Sequence, residues 1–150
     1  MDKGHWTGKS PDTDKFIGFV YEITNTINGM KYIGRKQMWY LSKKKSKKTG
    51  KRMKVMYPWK SYTGSSDALN AEIEEFGKEN FKFKILRLYK GKAGLRYGET
   101  EMIVKREALT KNKAMYHNGR VDSAYQPNEW YDGSTRVDSP NVRKKKKGKK

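Results

Sequence analysis

The stretch from Gly18 to Gly34 constrains this chain more than any other. It reads as two short strands, 16–23 and 30–34, built from β-branched and aromatic residues. Asn28-Gly29 between them is the strongest short-range signal for a two-residue hairpin turn. With the turn centred there, Tyr32 faces Asn25, four residues from Tyr21. Side chains alternate faces along a strand, so the even separation puts Tyr21 and Tyr32 on one face. A looser loop that pairs Tyr21 directly with Tyr32 keeps them together, whereas a one-residue slip separates them. Two phenols on one face are either a half-buried aromatic ladder or part of a phosphate-handling site.

The segment after the hairpin favours phosphate. No Asp or Glu occurs between Ile23 and Ser66, while twelve cations do: Lys31, Arg35, Lys36, Lys43, Lys44, Lys45, Lys47, Lys48, Lys51, Arg52, Lys54 and Lys60. Trp39, Tyr40, Tyr57, Trp59 and Tyr62 are interleaved with them. Cations neutralise phosphates, and aromatics either stack on bases or pin the segment to the domain. The bland alternative, a solvated basic loop, leaves twelve cations repelling one another without an anion. Residues 37–60 therefore read as a basic loop or insertion, with 43–54 a mobile part that orders on a ligand.

The whole chain carries a formal +19, from 35 Lys and Arg against 16 Asp and Glu. Seven of those cations lie in 143–150, a disordered basic tail; without them the body still carries +12. Such an excess implies a polyanionic partner, nucleic acid first and an anionic membrane surface second. No apolar run approaches the ~18 residues of a membrane span. Residues 1–14 are polar, lack a signal-peptide core and read as a flexible leader. The absence of cysteine excludes disulfides and thiolate metal sites, and fits a reducing cytoplasmic setting.

Downstream, Ser65-Ser66-Asp67 is a helix start for a helix over 67–76, with Leu69, Ile73 and Phe76 inward and Gly77 as its stop. Phe81, Phe83 and Ile85 then alternate with lysines as a strand, and the apolar phase shifts at Ile85-Leu86, which marks a bulge or two-sided burial. A second helix is expected over 95–109. Leu95, Glu99, Met102, Ile103 and Arg106 form its inner stripe, while Glu101 lies to one side. A carboxylate on such a stripe means an ion pair, a metal or a dipole-stabilised helix start. Residues 119–142 read as an irregular extension.

Taken in order, these pieces resemble the GIY-YIG endonuclease domain. The two tripeptides stand here as Phe19-Val20-Tyr21 and Tyr32-Ile33-Gly34. The Tyr62-Thr63-Gly64-Ser65-Ser66 run, Phe76-Gly77, Glu79-Asn80-Phe81, Ile85-Leu86, Glu99 with Met102-Ile103, and Tyr116-His117-Asn118 are similar to its phage-encoded, Seg-like branch. The resemblance spans about residues 16–118. It implies a small α+β domain over 15–118, with a short antiparallel sheet flanked by helices. It also implies metal-dependent hydrolysis of phosphodiesters in double-stranded or branched DNA.

By the same resemblance, Tyr21 stands near the attacking water with Tyr32 beside it, an arginine holds the scissile phosphate, Glu99 binds Mg²⁺ (or Mn²⁺), and Asn118 supports the site. The family's usual helical arginine falls at Ser42, so Arg35 and Arg52 are the candidates, with Lys36 a neighbouring phosphate contact; Glu101 is the alternative to Glu99. A second copy of the chain on DNA is the candidate partner for cutting both strands. The competing reading is a non-catalytic, basic nucleic-acid-binding module on the same fold.

Overall fold

The strands run β1 (Trp6–Gly8), β2 (Gly18–Asn25), β3 (Lys31–Gln37), β4 (Trp39–Lys45), β5 (Arg52–Met56) and β6 (Phe81–Tyr89), and the helices are α1 (Asp67–Phe76) and α2 (Lys92–Lys105). They come from a computed structural model, which describes residues 2–119. The expected tail at 143–150, and the extension beyond Gly119, lie outside the described residues.

The central sheet has the order β1-β6-β2-β3. β2 pairs antiparallel with both neighbours, and β1 adds a parallel edge. Tyr21 pairs with Gly34, and Ile23 with Tyr32. The connection therefore holds four residues, 26–29, instead of the two expected: the Asn25 amide donates to Met30 O at 2.8 Å, and the Gly29 amide to Asn25 O at 2.8 Å. The Asn25 and Asn28 side chains each accept an amide two residues on, at 2.9 Å, and so favour the longer loop. Gly29, at φ 78°, supplies its left-handed corner. The register moves by two residues, which preserves the parity, and the tyrosines stay on one face.

Helices cover both faces. Phe19, Tyr21 and Ile23 join Phe81, Phe83, Ile85 and Leu69 of α1 in one core; Val20 and Ile33 join Leu95 and Ile103 of α2 in another. The ladder between β2 and β6 slips between Val20 and Tyr21, leaving Leu86 as the extra residue of a bulge. The bulge explains the phase shift: Ile85 and Leu88 reach the first core while Leu86 reaches the second. α1 matches its expected limits, with Ser66 Oγ accepting the Leu69 amide at 3.2 Å. α2 starts and ends a turn earlier than expected.

Two segments differ from the sequence reading. The expected flexible leader is folded onto the domain: Trp6 is 1% exposed, and its indole donates to Trp59 O at 2.8 Å. One aromatic residue among polar neighbours gives no periodic signal, yet burying it can outweigh the ordering of a short strand. The expected basic loop is a separate hairpin, β4 with β5. It hangs from Met38, which is fully buried and whose carbonyl accepts the Tyr57 amide at 2.9 Å. Its lysine run hides a strand from hydrophobic periodicity, because both of its faces are wet.

Candidate active site

β3 is an edge strand, so side chains from both faces of the sheet meet along its free side. A cleft of about 660 Å³ opens there, lined by Tyr21, Tyr32, Arg35, Tyr62, Ser65, Ser66, Glu99, His117, Asn118 and Gly119. Tyr21 and Tyr32 enter from the α1 face, their rings 6.3 Å apart. Tyr62 stands edge-on to Tyr21 at 6.1 Å. The Tyr32 hydroxyl lies 3.5 Å from Ser65 Oγ.

Gly34 is where the tyrosine pair meets the backbone. A Cβ at this position would lie 2.3 Å from the Tyr21 hydroxyl oxygen. The last residue of the second tripeptide is thus a glycine because the phenol of the first passes directly over it.

Arg35 leaves β3 on the opposite face and meets α2. Its guanidinium donates to Glu99 Oε1 at 2.5 Å, and both side chains are largely shielded from solvent. Seven residues along the stripe, Arg106 donates to the buried Glu22 at 2.8 Å. Both charged positions of the α2 stripe therefore pair with the sheet.

Asn118 lies alongside β3. Its Nδ2 donates to Ile33 O at 2.7 Å and its Oδ1 accepts the Ile33 amide at 2.9 Å. One buried side chain thus satisfies both polar groups of an edge residue and holds the Tyr32-Ile33-Gly34 strand in place.

The structure brings Tyr21, Tyr32, Arg35, Glu99 and Asn118 to one cleft. It does not bring Arg52 or Glu101 there: Arg52 sits on β5, and Glu101 pairs with Arg87 and Lys105 at 3.5 and 3.7 Å. Lys36 stands beside the cleft, its ammonium 4.4 Å from the Tyr62 ring and 4.7 Å from the Tyr57 ring. Lys43, Lys44, Lys45, Lys47, Lys48, Lys51 and Lys54 belong to the β4–β5 hairpin, and Lys60 pairs with Asp2 at 3.3 Å.

Three residues near the site carry no catalytic role in the sequence reading. Tyr62 is there one of the aromatics interleaved with the cations, Ser65 is part of a helix start, and His117 stands in the Tyr116-His117-Asn118 run. The histidine lines the cleft, with Nε2 3.1 Å from Glu72 Oε2, although off the line of a good hydrogen bond. Burial pushes the Glu72 carboxyl up, but its neighbours, led by Asn25, which donates to it at 2.9 Å, together draw it below the usual value.

Burial sets the state of the tyrosines. It is the main cause pushing the Tyr21 phenol well above its ordinary value, with the neighbouring Tyr32, Tyr62 and Glu99 adding to it. Tyr32 is also raised, mainly by burial, against the opposing hydrogen bond to Ser65. Both phenols therefore keep their protons at neutral pH.

A family model described as "Putative endonuclease segE, GIY-YIG domain" matches residues 3–121. The chain belongs to this family. A relative, the "Putative endonuclease segE" of Enterobacteria phage T4, is 32% identical over 100 residues, covering 67% of this chain and 39% of the relative. The chain thus spans about two fifths of that relative's length. No solved structure matches it. The family's fold agrees with the mixed sheet and two helices described above. No helix among the described residues is long and apolar enough to cross a membrane.

Proposed function

We propose that this chain is an endonuclease that hydrolyses phosphodiester bonds of double-stranded or branched DNA with the help of a divalent cation, Mg²⁺ or Mn²⁺. The observation that carries the reading is the convergence of two phenols, one guanidinium and one carboxylate on the edge strand β3. In the reaction, a bond forms between a water oxygen and phosphorus, the bond to one bridging sugar oxygen breaks, and the leaving oxygen takes up a proton.

Each side chain has a task that its surroundings allow. Arg35 presents a planar fork that matches phosphate oxygens and lies next to the tyrosines at the cleft. Tyr21 and Tyr32 stay neutral, so they act as hydrogen-bonding groups that orient water rather than as phenolate bases. Asn118 holds β3 still while this happens.

The donor set fits a hard divalent ion. Among the described residues Glu99 is the one carboxylate lining the cleft, and Mg²⁺ commonly keeps most of its waters beside one or two carboxylates. No cluster of three or more metal-binding side chains occurs among the described residues, so Glu99 would hold the ion together with waters and phosphate oxygens. When bound, the ion would acidify water and offset the negative charge that builds on the phosphate. Arg35 would share the carboxylate with that ion and offer its fork to the phosphate oxygens. A single cleft cuts one strand; a break in both needs two copies or two encounters.

The Arg35–Glu99 pair also supports a second reading, a module that binds nucleic acid and does not cut, because the guanidinium and the carboxylate satisfy each other. Nicking of supercoiled plasmid separates the two. Under the nuclease reading the chain nicks with Mg²⁺ and stops with EDTA, and Glu99→Gln slows nicking by about 10²–10³-fold, the scale of losing one transition-state stabilising group. Equal nicking by parent and variant, or none by either with salt-sensitive DNA binding retained, overturns it.

A further inference from the structure

The hairpin β4–β5 is unlike the other described elements. Residues 39–56 contain eight Lys or Arg and no acid. None of its strand residues is buried. Leu41, Met53 and Met56 are 48, 58 and 50% exposed, an unusual expense of apolar surface for a strand pair with no cover. Yet the base is fixed. The Trp39 indole donates to Phe16 O at 2.9 Å, Lys54 sits 4.4 Å over the Trp39 ring, and Tyr40 packs on Tyr57 at 4.9 Å. A bulge near Ser42, whose hydroxyl accepts the Met53 amide at 2.9 Å, adds twist. The ribbon leaves the body at Met38 and Tyr57, and Tyr57 carries Lys36 at the margin of the cleft.

We propose that this ribbon is a duplex-DNA reader that lies in the major groove next to the scissile phosphate. The inference rests on the nuclease reading for the identity of the polyanion. Shape favours the major groove: about 12 Å wide, it admits a two-stranded β-ribbon as it stands, whereas the minor groove, about 6 Å wide, must first be widened at a cost in DNA deformation. Charge complementarity comes from lysines on both edges and both faces, which reach the phosphates flanking the groove. Leu41 and Met56 lie on one face of the ribbon and Met53 on the other, so whichever face turns inward brings exposed apolar side chains to base edges and thymine methyl groups. Seven residues of β4 at about 3.3 Å each reach roughly 23 Å from the base, or about seven base pairs. The ribbon therefore reads to one side of the cut, within one helical turn.

Methylation interference tests this on the full chain, with EDTA present so that binding is read without cutting. A DNA duplex that the chain binds is premethylated with dimethyl sulfate, which marks guanine N7 in the major groove and adenine N3 in the minor groove. The expected result is interference from guanines clustered within about one turn on one side of the cut mapped separately with Mg²⁺. The variant Lys44→Gln/Lys45→Gln/Lys47→Gln/Lys48→Gln should lose that pattern and bind at least tenfold more weakly at 0.15 M salt. Its slope of log affinity against log salt should fall by about 0.9 for each phosphate contact removed. A thermal melt matching the parent keeps unfolding from passing for lost recognition. Interference from adenines alone, or from no base, overturns the proposal even if the chain cuts DNA. Guanine interference that vanishes in the variant supports the ribbon even if the chain never cuts, in which case it is the nuclease reading that fails.

Discussion

Among the described residues, two hairpins adjoin in sequence and differ in nearly everything else. In β2–β3, every residue of β2 except Thr24 is buried; in β4–β5, no strand residue is. The first is covered by a helix on each face and clamped at its edge by Asn118. The second is a bare two-stranded ribbon, an arrangement marginally stable on its own, and it is held at its base. On the proposed reading, chemistry that depends on placement sits on the first and charge that meets a polyanion on the second, so that rigid positioning and adaptable binding would be separated within forty residues of chain, 18–56.

The contrast breaks if the two hairpins respond alike to the same change. Ile33 is fully buried on β3, so Ile33→Ala should cost about 2–5 kcal/mol of unfolding free energy in urea titration. Leu41 is 48% exposed on β4, so Leu41→Ala should stay within about 0.5 kcal/mol. Comparable losses would mean that the ribbon is part of the cooperative core, and the division of labour would be wrong.

Glycines sharpen the same point. Gly34→Ala forces a Cβ to within 2.3 Å of the Tyr21 hydroxyl oxygen and should cost about 1–3 kcal/mol by overpacking. Tyr21→Phe in the same chain should recover part of it, because the hydroxyl is the nearest clashing atom. Gly50 in the ribbon turn has φ 69° and nothing within 4 Å of a Cβ, so Gly50→Ala strains the backbone by about 1–2 kcal/mol. That cost should appear as local opening of the ribbon in hydrogen exchange, with global stability unchanged. A Gly34→Ala loss that Tyr21→Phe does not relieve would remove the steric account of the tripeptide.

The two hairpins were also unequally legible. Tyr21 and Tyr32 sharing a face followed from parity, and parity survived a loop twice the expected length because the error was an even number of residues. The limits of α1, the bulge at Leu86 and the inward aim of Glu99 followed from periodicity and capping, which are local. The ribbon was not legible, because strand patterning presumes one dry face and this pair has none. Trp6 was not legible either: its partners, the Trp59 carbonyl and the Phe19 and Tyr21 rings, are far away in sequence. The pairing of Glu99 with Arg35 needed the β3–α2 geometry to choose it over the alternatives the spacing allowed.

The last test of the contrast is a pH dependence confined to the buried region. His5 stacks on Phe83 with centroids 3.9 Å apart, and its Nε2 lies 3.0 Å from Tyr62 O, so it steadies one wall of the cleft. Burial, reinforced by the charge of Lys78, pushes its imidazole down from 6.5 to about 4, while the bond to Tyr62 pulls weakly the other way. The unfolded chain therefore takes up this proton at a higher pH than the folded one. The stability His5 contributes is complete above pH 6.5, declines as pH falls toward about 4, and changes no further below that. Residues 39–56 contain no acid and no histidine, so ribbon opening, after correction for intrinsic exchange, should not vary across this window. Urea titrations at pH 7 and pH 5 should show the parent losing more stability than His5→Phe, which retains the stack on Phe83 and cannot take up the proton. Equal losses would show that the imidazole is free to protonate in the folded state, and that the wall carrying Tyr62 is as loosely held as the ribbon beside it.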